Sequence, residues 1–181
     1  MTGDYRVFVG VFPVGDIVAD IQALRLQHDA KTARITAPHV TMAGTYWRSG
    51  PATADNEADA IARLNAVSPQ IRPFDVVMGG VESFLPGNPV IFLHIEPSPG
   101  LLAARQALLK ALGPDKHGSR FTPHLTLAMR LDPVHTARLL EDLRRSAWHT
   151  GRWALRIAEL GFMQRGPGDP EWRTIARMSL T

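Results

Sequence analysis

The feature of this chain that most limits its fold is a six-residue pattern that occurs twice. Residues 38–43 read Pro38-His39-Val40-Thr41-Met42-Ala43, and residues 123–128 read Pro123-His124-Leu125-Thr126-Leu127-Ala128. An extended segment points successive side chains to opposite faces, so His39 and Thr41 share one face while Val40 and Met42 share the other. The same alternation places His124 and Thr126 together against Leu125 and Leu127. Each copy therefore predicts a strand with an apolar face in the core and an imidazole beside a hydroxyl on the outer face. Pro38 and Pro123 suit the start of such strands, where no ladder donor is lost.

Two such strands brought together would converge two imidazoles and two hydroxyls on one cavity. An unperturbed imidazole has a pKa of about 6.5, so one copy can be protonated while the other is not. That pairs an acid with a base. The hydroxyls beside them are donors suited to the non-bridging oxygens of a phosphate. The residues alone leave open which imidazole takes which part.

These paired His-x-Thr-x motifs, with matching Pro and Ala flanks, resemble those of the two-histidine (2H) phosphoesterases. In particular they resemble the bacterial LigT-like RNA 2′,3′-cyclic phosphodiesterases, also called 2′-5′ RNA ligases. The resemblance runs from a first strand at 5–13, through both motifs, to closing strands at 153–163 and 171–178. It implies an α+β fold over residues 1–181 as a single domain, with two pseudo-twofold lobes, antiparallel sheets flanked by helices, and a central cleft. It also implies a phosphodiesterase that needs no metal or other cofactor. Such an enzyme opens 2′,3′-cyclic phosphate ends of RNA or nucleotides to 2′-phosphomonoesters, with 2′-5′ RNA ligation as the reverse reaction. By resemblance His124 is the base that activates water, His39 the acid that protonates the departing oxygen, and Thr41 and Thr126 hold the phosphate.

One position departs from the family. Its members commonly carry an arginine five residues after the second histidine, where this chain has Met129 followed by Arg130. On a regular strand that shift turns Arg130 to the opposite face unless a bulge intervenes. Arg120 or Arg165 is then expected to substitute. The rival readings are a phosphodiesterase for another cyclic phosphate or a 2′-5′ oligonucleotide, and a nonenzymatic nucleotide- or RNA-binding module. Four intact motif residues argue against the last. No carboxylate or cysteine stands beside either motif, which makes a metal site a poor reading.

Composition narrows the setting. A net charge of +3 and a pI near 9.8 tolerate anionic partners, but the arginines are scattered, so any RNA contact is expected to be local. With no cysteine, thiol chemistry and disulfides are excluded. No apolar run approaches the ~20 residues that span a bilayer, and the N-terminus lacks a basic segment followed by an apolar one. The expectation is a cytoplasmic monomer, with RNA ends or small cyclic nucleotides as partners and no membrane.

Periodicity predicts the order β-α-β-α-β-β-α-β-α-β-β, similar in its two halves. A strand at 5–12 precedes a helix capped by Asp16, and 30–37 reads as a polar connection. A hairpin spans 74–95 with a bulge at Gly79-Gly80. Leu101, Leu102 and Leu108 mark the buried stripe of a helix beginning at Ser98-Pro99. Residues 132–148 read as one helix, beginning at Asp132-Pro133 with Val134 in its apolar stripe, and 151–163 as one strand. Tyr46, Trp47 and Phe121 are candidates for stacking on a base, with core packing or a loop anchor as the alternative. Lys116, His117 and Arg120 form a basic loop leading into the second motif. His94 either faces the cleft or is structural, His28 reads as a surface or dipole-compensating residue at a helix end, and His135 and His149 have no partner that would make them chemical.

Overall fold

The computed structural model describes residues 5–48, 54–84 and 89–181. Runs rich in Val, Ile, Phe and Leu form β1 (Tyr5–Val11), β2 (Val40–Arg48), β3 (Phe74–Ser83), β4 (Val90–Ile95), β5 (His124–Met129), β6 (Trp153–Ile157), β7 (Glu159–Arg165) and β8 (Arg173–Ser179). Between them lie α1 (Asp16–His28), α2 (Ala30–Ile35), α3 (Ala54–Val67), α4 (Pro99–Leu112), α5 (Pro133–Arg144) and α6 (Ala147–Thr150). The turn at 85–88 falls outside the described residues, as does the break at Ser49-Gly50-Pro51.

The strands form one antiparallel sheet in the order β6-β3-β4-β5-β2-β1-β7-β8. The two motif strands are its central neighbours. They are registered only through Val40 and Leu125, whereas β1 pairs with β2 and β4 with β5 along most of their lengths. This narrow seam divides the sheet into two four-stranded halves. Around the centre the strands correspond in pairs, β2 with β5, β1 with β4, β7 with β3 and β8 with β6. The halves are interleaved in the chain, because β7 and β8 return to β1 after the middle of the chain has built β3 to β6.

That return corrects the reading of 151–163 as one strand. β6 pairs with β3 and β7 pairs with β1, so the chain breaks at Ala158 to pass from one half of the sheet to the other. Residues 30–37 are not simply a connection, because Asp29 accepts the Thr32 N–H and caps the short α2. The helix expected over 132–148 is two, the second capped by Ser146 accepting from Trp148 N–H. Gly15, not Asp16, occupies the cap position of α1. Leu102 and Val134, expected inside, are 43% and 70% exposed.

The core lies behind the motif strands. Val40, Met42, Leu125 and Leu127 are buried with Val7, Val9 and Val11 of β1 and Ile91, Leu93 and Ile95 of β4. Full burial of each such side chain contributes about 1.5–3 kcal/mol. Leu101, Ala104 and Leu108 of α4 pack onto this side. The Gly79-Gly80 bulge is present, since Met78 pairs with Ile95 and Val81 with Leu93. A Cβ at Gly79 would lie 2.2 Å from the Gly151 carbonyl oxygen, which fixes glycine there. Among the described residues no helix is long and apolar enough to cross a membrane.

Candidate active site

Strand alternation delivers the four motif side chains to one cleft. Val40 and Met42 are 2% and 0% exposed, whereas His39 and Thr41 are partly open, and Leu125 and Leu127 stand in the same relation to His124 and Thr126. The cleft has two compartments. The larger, about 570 Å³, is lined by His124, Lys116, His117, Arg120, Thr122 and Phe84, and the smaller, about 190 Å³, by His39, Arg6, Arg25, Arg130, Arg165 and Trp172. Thr41, Thr126 and Met129 border both. The hydroxyls therefore occupy the junction, with one imidazole on each side.

The two imidazoles are oriented alike. His39 Nδ1 lies 2.9 Å from the Ala37 carbonyl oxygen, and His124 Nδ1 lies 2.7 Å from that of Thr122. A carbonyl only accepts, so each Nδ1 carries the hydrogen, and in the neutral ring the lone pair is on Nε2. The intervening proline disfavours a helical turn in the residue before it, which holds that carbonyl in an extended segment beside the ring.

Aromatic rings wall each imidazole. Phe8 of β1 stacks on His39 at 4.8 Å, with Phe12 at 5.6 Å. Phe92 of β4 and Phe84 lie 5.1 Å and 5.0 Å from His124. Loss of hydration pushes the His39 pKa down to about 4; the charges of Arg25 and His124 add to this and the Ala37 carbonyl opposes it. Burial likewise lowers the pKa of His124, against the Thr122 carbonyl and with the nearby charge of His117. Both rings are therefore neutral at pH 7 in the free protein.

The loop feeding the second motif is fixed by a buried ion pair. Arg105 of α4 makes two 2.9 Å bonds to Asp115 and donates to the Met42 carbonyl at 2.8 Å. Asp115 in turn accepts from the N–H groups of Gly44, His117 and Gly118. Burial alone would raise its pKa, but Arg105 and these N–H groups hold it at about 2. The clamp ties the first motif strand to the loop that presents Lys116, His117 and Arg120 to the larger compartment.

Of the remaining candidates, Arg120 and Arg130 line the cleft. Arg130 gets there because the ladder is irregular: Ile91 and Phe92 pair with Ala128 and Thr126, leaving Leu127 as an extra residue on β5. Met129 N–H then donates to Asp29 at 2.8 Å, and Arg130, with φ 62, borders the smaller compartment while remaining exposed. Tyr46 takes the packing alternative. Its hydroxyl donates to the Gly113 carbonyl at 2.8 Å, and burial, then the Asp115 charge, pushes its pKa up to about 12, so it anchors α4 away from the cleft. Phe121 is half-buried, with the Arg105 guanidinium 3.9 Å from its ring centroid. The side chain of Trp47 lies outside the described residues. His94 sits opposite His124 in the ladder, and the His149 ring accepts the Val81 N–H.

Arg25 and the Arg105–Asp115 pair were not among the sequence candidates. Arg25 falls on the ridge of Ile17 and Ile21, four residues on, yet is only 1% exposed. Its place on an apolar stripe was the available signal.

The fold is that of E. coli LigT. The chain superposes on apo E. coli LigT with a TM-score of 0.65 at 18% identity, covering 98% of each chain. It superposes on E. coli LigT complexed with 3′-AMP at 0.64, covering 99% of each, and on the TT0787 protein of Thermus thermophilus at 0.57, covering 97% of each, both at 18% identity. A Bacillus cytotoxicus protein named "Putative phosphoesterase" is 28% identical over 139 residues, 77% of this chain and 78% of the relative. The sequence profile of the 2′-5′ RNA ligase superfamily matches residues 13–169, and the chain belongs to that family.

Proposed function

We propose that the cleft is the active site of a metal-independent phosphodiesterase that opens 2′,3′-cyclic phosphate ends of RNA or nucleotides to 2′-phosphomonoesters. The observation that carries this reading is the matched pair of imidazoles, each held by a backbone carbonyl at Nδ1, on either side of two hydroxyls. A binding module has no use for two such rings with free Nε2 lone pairs. The solved complex of E. coli LigT with 3′-AMP supports a nucleotide as the ligand class.

In this reading the phosphate sits between Thr41 and Thr126. Their hydroxyls donate to its non-bridging oxygens as negative charge grows in the transition state. His124 Nε2 takes a proton from water, the oxygen attacks phosphorus, and the P–O bond to the ribose 3′ oxygen breaks as His39 supplies that oxygen with a proton. His39 resists protonation in the free cleft, so its acid role depends on the bound phosphate, whose negative charge raises an imidazole pKa. Arg120 and Arg130 supply further positive charge toward the substrate.

The test is turnover of nucleoside 2′,3′-cyclic phosphates and of cyclic-phosphate-ended RNA in chelator, by wild type, His39→Ala and His124→Ala, with the product isomer identified. A 2′-phosphate product lost in both variants is expected. Activity abolished by chelator and restored by zinc or magnesium would overturn the mechanism. An aryl phosphodiester, whose leaving group needs no proton, separates the roles: it should rescue His39→Ala and leave His124→Ala inactive.

A further inference from the structure

The smaller compartment carries more positive charge than one reacting phosphate requires. Arg6, Arg25, Arg130 and Arg165 line about 190 Å³, with Trp172 as a wall. Like charges brought together repel, and an added anion relieves this; Arg25 is buried at one wall and Arg130 is exposed at the rim. Arg6 registers the crowding, its pKa lowered by burial and then by the charges of Arg165 and Arg130. Arg25 is 1% exposed; its terminal nitrogens donate to Gln22 and to the carbonyls of Thr36 and Thr32, while its Nε has no partner among the described residues.

Among the described residues no carboxylate forms an ion pair with Arg25, Arg130 or Arg165. Asp29 partly offsets the Arg25 charge, and its oxygens also accept from the N–H groups of Thr32 and Met129. Arg130 is held at φ 62, and it is the sole residue other than glycine with a positive φ among the described residues. Such a conformation persists only where its surroundings impose it.

Size separates the two compartments. Pockets that enclose small molecules run from about 300 to 1,000 Å³. The compartment of about 570 Å³ beside His124 can seat a nucleoside, while the one of about 190 Å³ can seat a group the size of a phosphate.

We propose that the Arg6, Arg25, Arg130 and Arg165 recess is a second anion subsite, which takes a phosphate of the substrate other than the one that reacts. The substrate class is then a nucleotide end bearing two phosphates, the second either a 5′-phosphate or an internucleotide phosphodiester. The inference deepens the phosphoesterase reading and rests on it for the reacting phosphate, but occupancy of the recess is measurable without turnover.

The experiment is calorimetric titration with three ligands that offer no cyclic phosphate: adenosine 3′-monophosphate, adenosine 3′,5′-bisphosphate and the 3′-phosphorylated dinucleotide ApAp. Wild type is expected to bind at least one of the two bisphosphorylated ligands about tenfold or more tightly than the monophosphate, the lower range for charge-assisted hydrogen bonds. Which ligand gains tells a terminal phosphate from an internucleotide one. Arg165→Gln and Arg6→Gln, each checked for an unchanged thermal transition, should lose most of that advantage. Equal binding of all three ligands to wild type, no binding of any, or an advantage that persists in both variants would overturn the proposal. If cyclic phosphates are not turned over but the bisphosphate advantage stands, the catalytic reading falls and the subsite remains.

Discussion

His39 and His124 hold their rings in the same way, each with Nδ1 against the carbonyl oxygen two residues upstream, at 2.9 Å from Ala37 and 2.7 Å from Thr122. In the proposed mechanism this shared geometry leaves Nε2 of both rings for the chemistry. Replacing either by Ala should lower kcat/KM by roughly 10²–10⁴-fold, the range for losing a positioned acid or base. Single-turnover assays of the folded variants would check this, and a loss in only one of the two would argue against a pair.

Both rings have lowered pKa values in the free protein, His39 to about 4. The profile of kcat/KM against pH reports the free enzyme, so it should be bell-shaped with its optimum below neutral pH. The profile of kcat reports the complex, where the bound anion raises the imidazole pKa values, and should be displaced to higher pH. Coincident profiles would show that phosphate does not sit beside the rings.

The same shift makes a stability prediction. The unfolded chain takes up protons on histidine near pH 6.5, whereas folded His39 resists until about pH 4. The folded state is thus favoured by this group above about pH 6.5, and that contribution is lost as the pH falls toward 4. The urea midpoint of wild type should drop over this window more steeply than that of His39→Gln. Parallel curves would mean that His39 is not desolvated.

Thr41→Val and Thr126→Val remove a hydroxyl at the junction of the compartments with little change in volume. Each should lower kcat by about 10²-fold, as loss of one preorganised donor does elsewhere. An effect confined to KM would place the hydroxyls in ground-state binding alone.

The Arg105–Asp115 clamp should be a stability determinant. Its side chains are 5% and 0% exposed, and Asp115→Ala strands the guanidinium and three backbone N–H groups. A cost of about 3–5 kcal/mol is expected in chemical denaturation, since breaking one partner of a buried pair leaves the other uncompensated. The exposed Arg63–Asp59 pair is the control, and its removal should cost under about 1 kcal/mol.

The motif strands were legible because their signal is local: alternation over four residues put Val40, Met42, Leu125 and Leu127 inside, and they are there. The pairing of β7 with β1 was not, since a strand's choice of partner is a tertiary matter and 151–163 alternates without an obvious break at Ala158. Arg130 was obscured by the extra residue at Leu127, which shifts the face without changing composition. Tyr46 and Phe121 have the residue types of base-stacking groups, but the carbonyl of Gly113 and the guanidinium of Arg105 lie many residues away from them. Arg25 shares the ridge of Ile17 and Ile21, but its burial depends on the carbonyls of Thr32 and Thr36, which α2 brings to it.

The interleaving of the sheet fixes an order of assembly as the chain leaves the ribosome. The half containing His124 has all of its strands once Ile157 has emerged, whereas the half containing β2 waits for β7 and β8, up to Ser179. Until then the outer edge of β1 lacks its neighbour, and Phe8, the ring against His39, sits on an incomplete surface. Newly made protein therefore acquires its second histidine environment before its first, and the sheet that carries both is complete only once Ser179 has emerged.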